Sequence, residues 1–550
     1  MRRRREHTLR EEPLKRTVLC VALATLFVVL ATNTHPQAQV RPDLPPQASA
    51  VATQPDHFDR TSTPLRDMSD RELPPVARGG RDFEPGRPQP VGNTNPPGVD
   101  PLAQTSVGSS SAVALPKVFT DGTPVDPSYR VAPPDTTGDL GLTHYVQWVN
   151  LRYAMYTVTR TNGTISAFTL VPGFPKNGNV IWQGFGGPCE TYNDGDPIVQ
   201  YDQLADRWIL TQFAVSATPY TQCVAVSTSG DPTGTYNRYS YSYGTDFNDY
   251  PKLGVWPDGY YVTYNMFRRG RTFRGAAVCA LERDKMLVGA SARQICVRTS
   301  TSYGSLLPSD LEGAALPPAG SPNYLLSITS STLLSWKFSV NWTAGTGTLT
   351  GPSTVPGVAS FSRACGGGTC IPQPGTSRTL DSLADRLMYR LSYRNLGTRE
   401  ALLVNHSVAS GGVSGIRWYE LNIGGGSATV RQQGTYQPSA DHRWMGSAAM
   451  DKTGGVAIGY NVSNSTTIKP SIYYAFRAPT DPLGTIGPEA QVLFGPGVQT
   501  GTLSRWGDYS TMSVDPADDC TMVFTTEYIP SNGSFNWATA IQSLKLSSCQ

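Results

Sequence analysis

Carboxylates placed directly before aromatic residues recur along this chain. Asp249-Tyr250-Pro251-Lys252-Leu253-Gly254-Val255-Trp256-Pro257 is matched by Asp508-Tyr509-Ser510-Thr511-Met512-Ser513-Val514-Asp515-Pro516, both reading Asp-Tyr-x-x-apolar-x-Val-x-Pro. Arg443-Trp444 is matched in the same way by Arg505-Trp506. Rings stack on sugar faces, Asp and Asn hydrogen-bond hydroxyls, and the Arg fork fits the carboxylate of an acidic sugar. Asp196, Asp249, Tyr250, Lys252, Arg443, Trp444, Arg505, Trp506, Asp508 and Tyr509 are therefore the candidate ligand-binding residues. Cleavage of a glycosidic bond would need more: two carboxyl groups roughly 5–9 Å apart, one holding its proton. Glu527, Asp249 and Asp508 are the candidates for that work. Asp135-Thr-Thr-Gly-Asp139 and Asn193-Asp194-Gly195-Asp196 put hard oxygen ligands on tight turns. Neither has EF-hand spacing, so no cofactor is expected, and calcium is the metal these residues would suit. Every one of these positions also has a plainer role. An Asp ahead of a strand caps a turn through backbone N–H groups, and the Trp residues suit a core between sheets.

Other chemistries find no footing. Only His144, His406 and His442 lie after residue 110, far apart and outside any His-Glu-x-x-His motif, which disfavours a His-based zinc site. There is no Gly-x-Ser-x-Gly elbow and no phosphate-binding Gly-x-x-x-x-Gly-Lys loop. Net charge is +3, but Met1 to Arg16 hold seven Lys/Arg against three Glu, so the remainder sits near −1. That balance gives no bulk electrostatic case for a nucleic-acid partner.

The elements that position the candidates are strands. The 54 Gly, 44 Pro and 26 Tyr, with charged residues at only 16%, suit short strands joined by turns. The repeated phrases read as hairpins, an inner strand leading through an Asp- or Gly-containing turn into a second strand. Unit starts near Asp135, Asp196, Asp249, Glu312, Leu380, Arg443 and Asp508 are 53 to 68 residues apart. The expectation is an all-β propeller over 111–550, most simply seven four-stranded blades, with six and eight also compatible. Val118 to Val125 would complete the last blade. Residues at matching places in such units gather at one mouth of the channel, which is where the candidates belong.

Ahead of the propeller, a basic stretch and the apolar run Thr17–Ala31 read as a signal peptide, residues 1–31. Residues 32–110, rich in Pro, Gln, Asp and Arg, read as a disordered spacer. Eight of the nine cysteines follow the leader. An even number in an exported chain predicts disulfides, in the simplest case between neighbours: Cys189–Cys223, Cys279–Cys296, Cys365–Cys370 and Cys520–Cys549.

Asp-turn hairpins such as Ser513-Val514-Asp515-Pro516-Ala517-Asp518-Asp519-Cys520-Thr521 resemble those of secreted bacterial propellers of the Asp-box, sialidase-like kind. The resemblance covers about 113–550, with a longer spacing after Asp515 and no Trp after Thr521. It implies the propeller fold. It also implies a site in which Glu527 beside Tyr528, together with Arg443 and Arg505, stands for the family's Arg and Tyr/Glu set. The leading expectation is a secreted or cell-surface monomer, with no integral membrane domain after leader removal, binding an extracellular glycan or protein. A sialidase-like hydrolase or lyase is the second expectation, and a structural surface protein the third. A close carboxylate pair in an open pocket separates the second from the first.

Overall fold

The computed structural model describes residues 47–70, 81–82, 94–106, 118–125, 131–424 and 427–550. The expected leader lies outside these residues. Almost everything described is antiparallel sheet, and among the described residues seven sheets are meanders in chain order. Their first strands are Thr137–Leu140, Gly195–Asp202, Asp246–Trp256, Leu307–Leu311, Met388–Asn395, His442–Met450 and Thr511–Val514. Each first strand packs against the next, and Thr511–Val514 packs back on Thr137–Leu140. The fourth and fifth are also hydrogen-bonded in parallel, Ser309 opposite Leu391 and Asp310 opposite Ser392. This is a propeller-like arrangement in which the first strands line the centre.

Burial explains why the strands read as continuous apolar runs rather than alternating ones. Strand Gly259–Arg268 of the third sheet is buried at every position but the last, because neighbouring sheets cover both of its faces. Trp148, Trp208, Trp256, Trp336, Trp418, Trp444 and Trp506 fill the spaces between sheets and are 0–2% exposed. The four neighbour disulfides are formed, with Cα–Cα separations of 4.0–5.8 Å. Cys279 and Cys296 stand directly opposite each other on adjacent strands of the third sheet. Among the described residues no helix is long and apolar enough to cross a membrane.

The expected spacer departs from expectation where it is described. Gln47–Val51 adds a fifth strand to the fourth sheet, and His57–Arg60 adds one to the second. Ala103–Gln104 pairs in parallel with the outer strand of the fifth sheet. Leu65 is 0% exposed, packed with Trp148 and Trp182. Asp59 takes two hydrogen bonds from Arg238, at 2.8 and 2.6 Å, and Asp100 is an ion-pair partner of fully buried Arg417. A composition rule asks whether a segment can build its own core. Edge addition needs only backbone N–H and C=O groups facing an open strand, and the sheets supply those. Phe119–Asp121 pairs with Ala538–Leu544 and completes the last sheet, as Val118 to Val125 was expected to do.

Candidate functional site

Three first strands open toward one end with an Asp in the left-handed backbone region: Asp135 at φ 52°, Asp196 at 43° and Asp508 at 57°. Tyr250 takes the same conformation at 55°. In the second and third sheets the ladder slips here, between Gly195 and Ile198 and between Asp249 and Lys252. A bulge of this kind re-aims side chains at a strand end. It turns Asp196, Asp249 and Tyr250, along with Asp135 and Asp508, toward one cavity of about 350 Å³, which Asn150, Phe213 and Ser216 help to line.

Backbone bonds lock these turns across sheets. The Asp135 N–H donates to the Gly507 carbonyl at 3.1 Å, and the Gly507 N–H donates to Glu527 at 2.7 Å. Gly507 has φ 66° and passes Met445 so closely that a Cβ would lie 2.9 Å from Met445 Cγ, so a larger residue would strain the turn and displace the Met445 side chain. Asp196 accepts the Tyr250 N–H at 3.1 Å, and the Tyr509 hydroxyl donates to the Pro197 carbonyl at 3.0 Å.

The electrostatics follow from burial. The Asp135 carboxyl is held well above the usual carboxylate range by desolvation, reinforced by the charges of Asp196 and Asp508. The interaction with Asp196 favours the neutral form of Asp135 and the charged form of Asp196. Burial pushes Asp196 up to about 6, against the pull of Lys252. The Lys252 ammonium lies 3.4 Å from the Tyr250 ring centroid and 3.8 Å from that of Tyr509, and it donates to the Pro251 carbonyl at 2.8 Å. Burial lowers it to about 7, and the three carboxylates oppose that shift. Neighbouring buried carboxyls cannot both ionise cheaply, which holds Asp135 up. Asp508 is paired with Arg505. The cavity wall therefore offers a carboxyl held toward its neutral form and a charge-paired carboxylate, while Lys252 lies fully buried behind Tyr250 and does not line it.

Several expected ligand residues lie elsewhere. Arg443 is 1% exposed and grips Glu489 with two bonds at 2.9 and 2.6 Å. Trp444 and Trp506 are 0% exposed and pack on each other at 5.7 Å, so they are core between sheets. Arg505 is 3% exposed against Asp508. Tyr509 is fully buried beneath Lys252. Glu527 is 1% exposed and behind Gly507; burial holds it well above the usual carboxylate range. It does not line the cavity.

Of the residues proposed for a metal, Asp135, Asp194 and Asp196 line the same cavity and Asp139 lies apart. Asp139 takes the Tyr201 N–H at 2.8 Å and an ion pair from Arg390 at 2.6 Å. Asp194 caps the loop after strand Arg207–Ala214 through the N–H groups of Val215 and Ser216. Among the described residues no three His, Cys, Asp or Glu side chains come together as a metal site.

Asn150, Phe213 and Ser216 went unread, since nothing in their local sequence marks them. Arg390 was also missed. It is 2% exposed in the centre, bridging Asp139, Asp310 and Glu312 at 2.6, 2.8 and 3.4 Å.

No protein-family model and no curated protein matches this sequence. Among solved structures, an exo-beta-1,3-galactanase from Phanerochaete chrysosporium aligns at 12% identity, covering 78% of this chain and 96% of that one, with a TM-score of 0.28. A protein of unknown function from Dyadobacter fermentans aligns at 11%, covering 79% and 99%, with a TM-score of 0.32. An endo-1,5-alpha-L-arabinanase from Thermotoga petrophila aligns at 10%, covering 78% and 99%, with a TM-score of 0.25. Superpositions this loose decide nothing about the site, which stands on its own geometry.

Proposed function

We propose that the chain is an exported seven-bladed propeller whose mouth pocket takes a glycan-like ligand and cleaves a glycosidic bond by acid/base chemistry. One observation carries the reading: Asp135, Asp196 and Asp508 line the wall of one open pocket, where burial and the neighbouring carboxylates favour the neutral form of Asp135. Environments that push neighbouring carboxyls apart mark acid and base roles. Asp135 is the proton donor to the leaving oxygen, Asp196 its neighbouring carboxyl, and Asp508 the carboxylate facing the sugar. Four disulfides suit an oxidising compartment outside the cytoplasm.

A second reading, binding without cleavage, is favoured by the direct contact of Asp135 with Asp196. Carboxyl pairs that cleave glycosides stand roughly 5–9.5 Å apart, so these two cannot be the whole pair. The full-length protein applied to a glycan array, with each solution assayed for released sugars, separates the two. Cleavage that falls about 100-fold or more in Asp135→Asn while binding persists supports the enzyme. Binding with no released sugar supports the module. A wild-type protein that neither binds nor cleaves any glycan would sink both.

A further inference from the structure

The hairpin that closes the third sheet on the pocket side carries four arginines in seven residues: Arg268, Arg269, Arg271 and Arg274. Its end of the sheet is set by register. Asn265 stands opposite Asp249, which lines the pocket, and Arg268 stands opposite Asp246, further out along the same strands. All four arginines are exposed. None makes a side-chain ion pair or hydrogen bond with a described residue. The nearest acid across the ladder, Asp246, is already held by Arg298 at 2.6 Å.

The tip is built to hold its shape. Arg269 and Gly270 have φ 52° and 65°, and the Arg269 N–H donates to the Thr245 carbonyl at 2.6 Å. Phe267 and Phe273 pack on each other at 5.3 Å beneath the turn. They belong to an apolar cluster with Phe213 and Val215, which line the pocket. Four uncompensated guanidinium groups within about a Debye length reinforce one another's field. A rigid base loses little entropy when they engage a ligand.

We infer that this hairpin is the contact surface for an anionic glycan chain bearing carboxylate or sulfate groups, an inference that rests on reading the pocket beside it as a glycan site. Guanidinium forks match carboxylate and sulfate geometry bidentately. The hairpin would hold the acidic groups of the polymer while one neutral linkage enters the carboxylate-lined pocket. A nucleic acid fits less well. Its unbroken phosphate charge would have to pass over Asp135, Asp196 and Asp508, and the chain beyond residue 16 is near neutral overall.

The test uses the full-length protein with a partly methyl-esterified polygalacturonate, in which neutral units interrupt the acidic ones, as the anionic probe and a neutral galactan of similar length as control. The variants are Arg268→Gln/Arg271→Gln/Arg274→Gln, Asp135→Asn, and Lys285→Gln at the other end of the same sheet. The inference expects polygalacturonate affinity to fall at least about tenfold in the triple variant, and also when salt rises from roughly 50 to 500 mM. Lys285→Gln should bind the polymer as the wild type does. Unchanged affinity in the triple variant overturns the inference, and so does failure of the wild type to bind. Duplex DNA bound as tightly with the same arginine dependence overturns the glycan assignment. Released sugars that disappear in Asp135→Asn while the triple variant binds normally would leave the pocket reading standing and remove this one. Arginine-dependent binding with no sugar released from any sample would support the hairpin and remove the cleavage chemistry.

Discussion

Asp196 and Lys252 set each other's charge. Burial raises Asp196 from the ordinary 3.8 to about 6, and the lysine's charge works against that shift. Replacing Lys252 by Met removes the opposing charge, so Asp196 should titrate at higher pH still. A carboxyl-region NMR titration of wild type and Lys252→Met checks the direction; a shift downward would mean that the two do not face each other. The same raised value links to stability. Between about pH 4 and pH 6 the folded Asp196 keeps a proton that the unfolded chain has released, so stability falls as pH rises through this window. Asp196→Asn removes that contribution, no more than about 3 kcal/mol. Urea midpoints at the two ends of the window should therefore differ less in Asp196→Asn than in wild type. At this scale the candidate list was partly legible. Asp196, Asp249, Tyr250 and Asp508 line the cavity as an aligned repeat phrase suggests. Arg443 and Trp444 do not, because Arg443 is held by Glu489 and Trp444 packs on Trp506 between sheets. A repeat alignment carries no record of such partners.

The edge strands supplied by residues 47–106 hold to the propeller through few but well-buried contacts. Asp100 and Arg417 are both fully buried as an ion pair. Asp100→Ala would leave the guanidinium without its anion, a change that typically costs about 3–5 kcal/mol. Thermal melting should show a large drop for Asp100→Ala and a smaller one for Asp100→Asn, which keeps a hydrogen-bond acceptor. Equal melting temperatures for Asp100→Ala and wild type would show that this segment is not docked. The Cys520–Cys549 bridge ties the C-terminal tail to the turn of the last sheet, across 29 residues. The double Ser variant should lose about 2–4 kcal/mol, read as a lowered denaturant midpoint. The Cys279–Cys296 pairing was legible because cysteines close in sequence on successive antiparallel strands stand side by side.

For the whole molecule, closure depends on a strand from far away in sequence. Phe119–Asp121 supplies the outer strand of a sheet whose other three strands lie after residue 510. A chain beginning at residue 131 would leave the Ala538–Leu544 edge open, an invitation to pair with another copy. Size-exclusion chromatography should show that truncation self-associating, while the full chain keeps its elution volume.

By itself the sequence determined the strand-rich class, the spacing of the hairpin units and the cysteine pairing. Each is written in short-range patterns: turn residues, apolar runs and neighbouring cysteines. Only the tertiary structure decided that a proline-rich stretch supplies edge strands, because backbone pairing leaves no mark in side-chain composition. It also decided that Trp444 and Trp506 are core and that Asp135 meets Asp196 and Asp508 on one cavity. Those outcomes depend on which residues from separate sheets meet at the mouth, and bulges at the strand ends set that meeting.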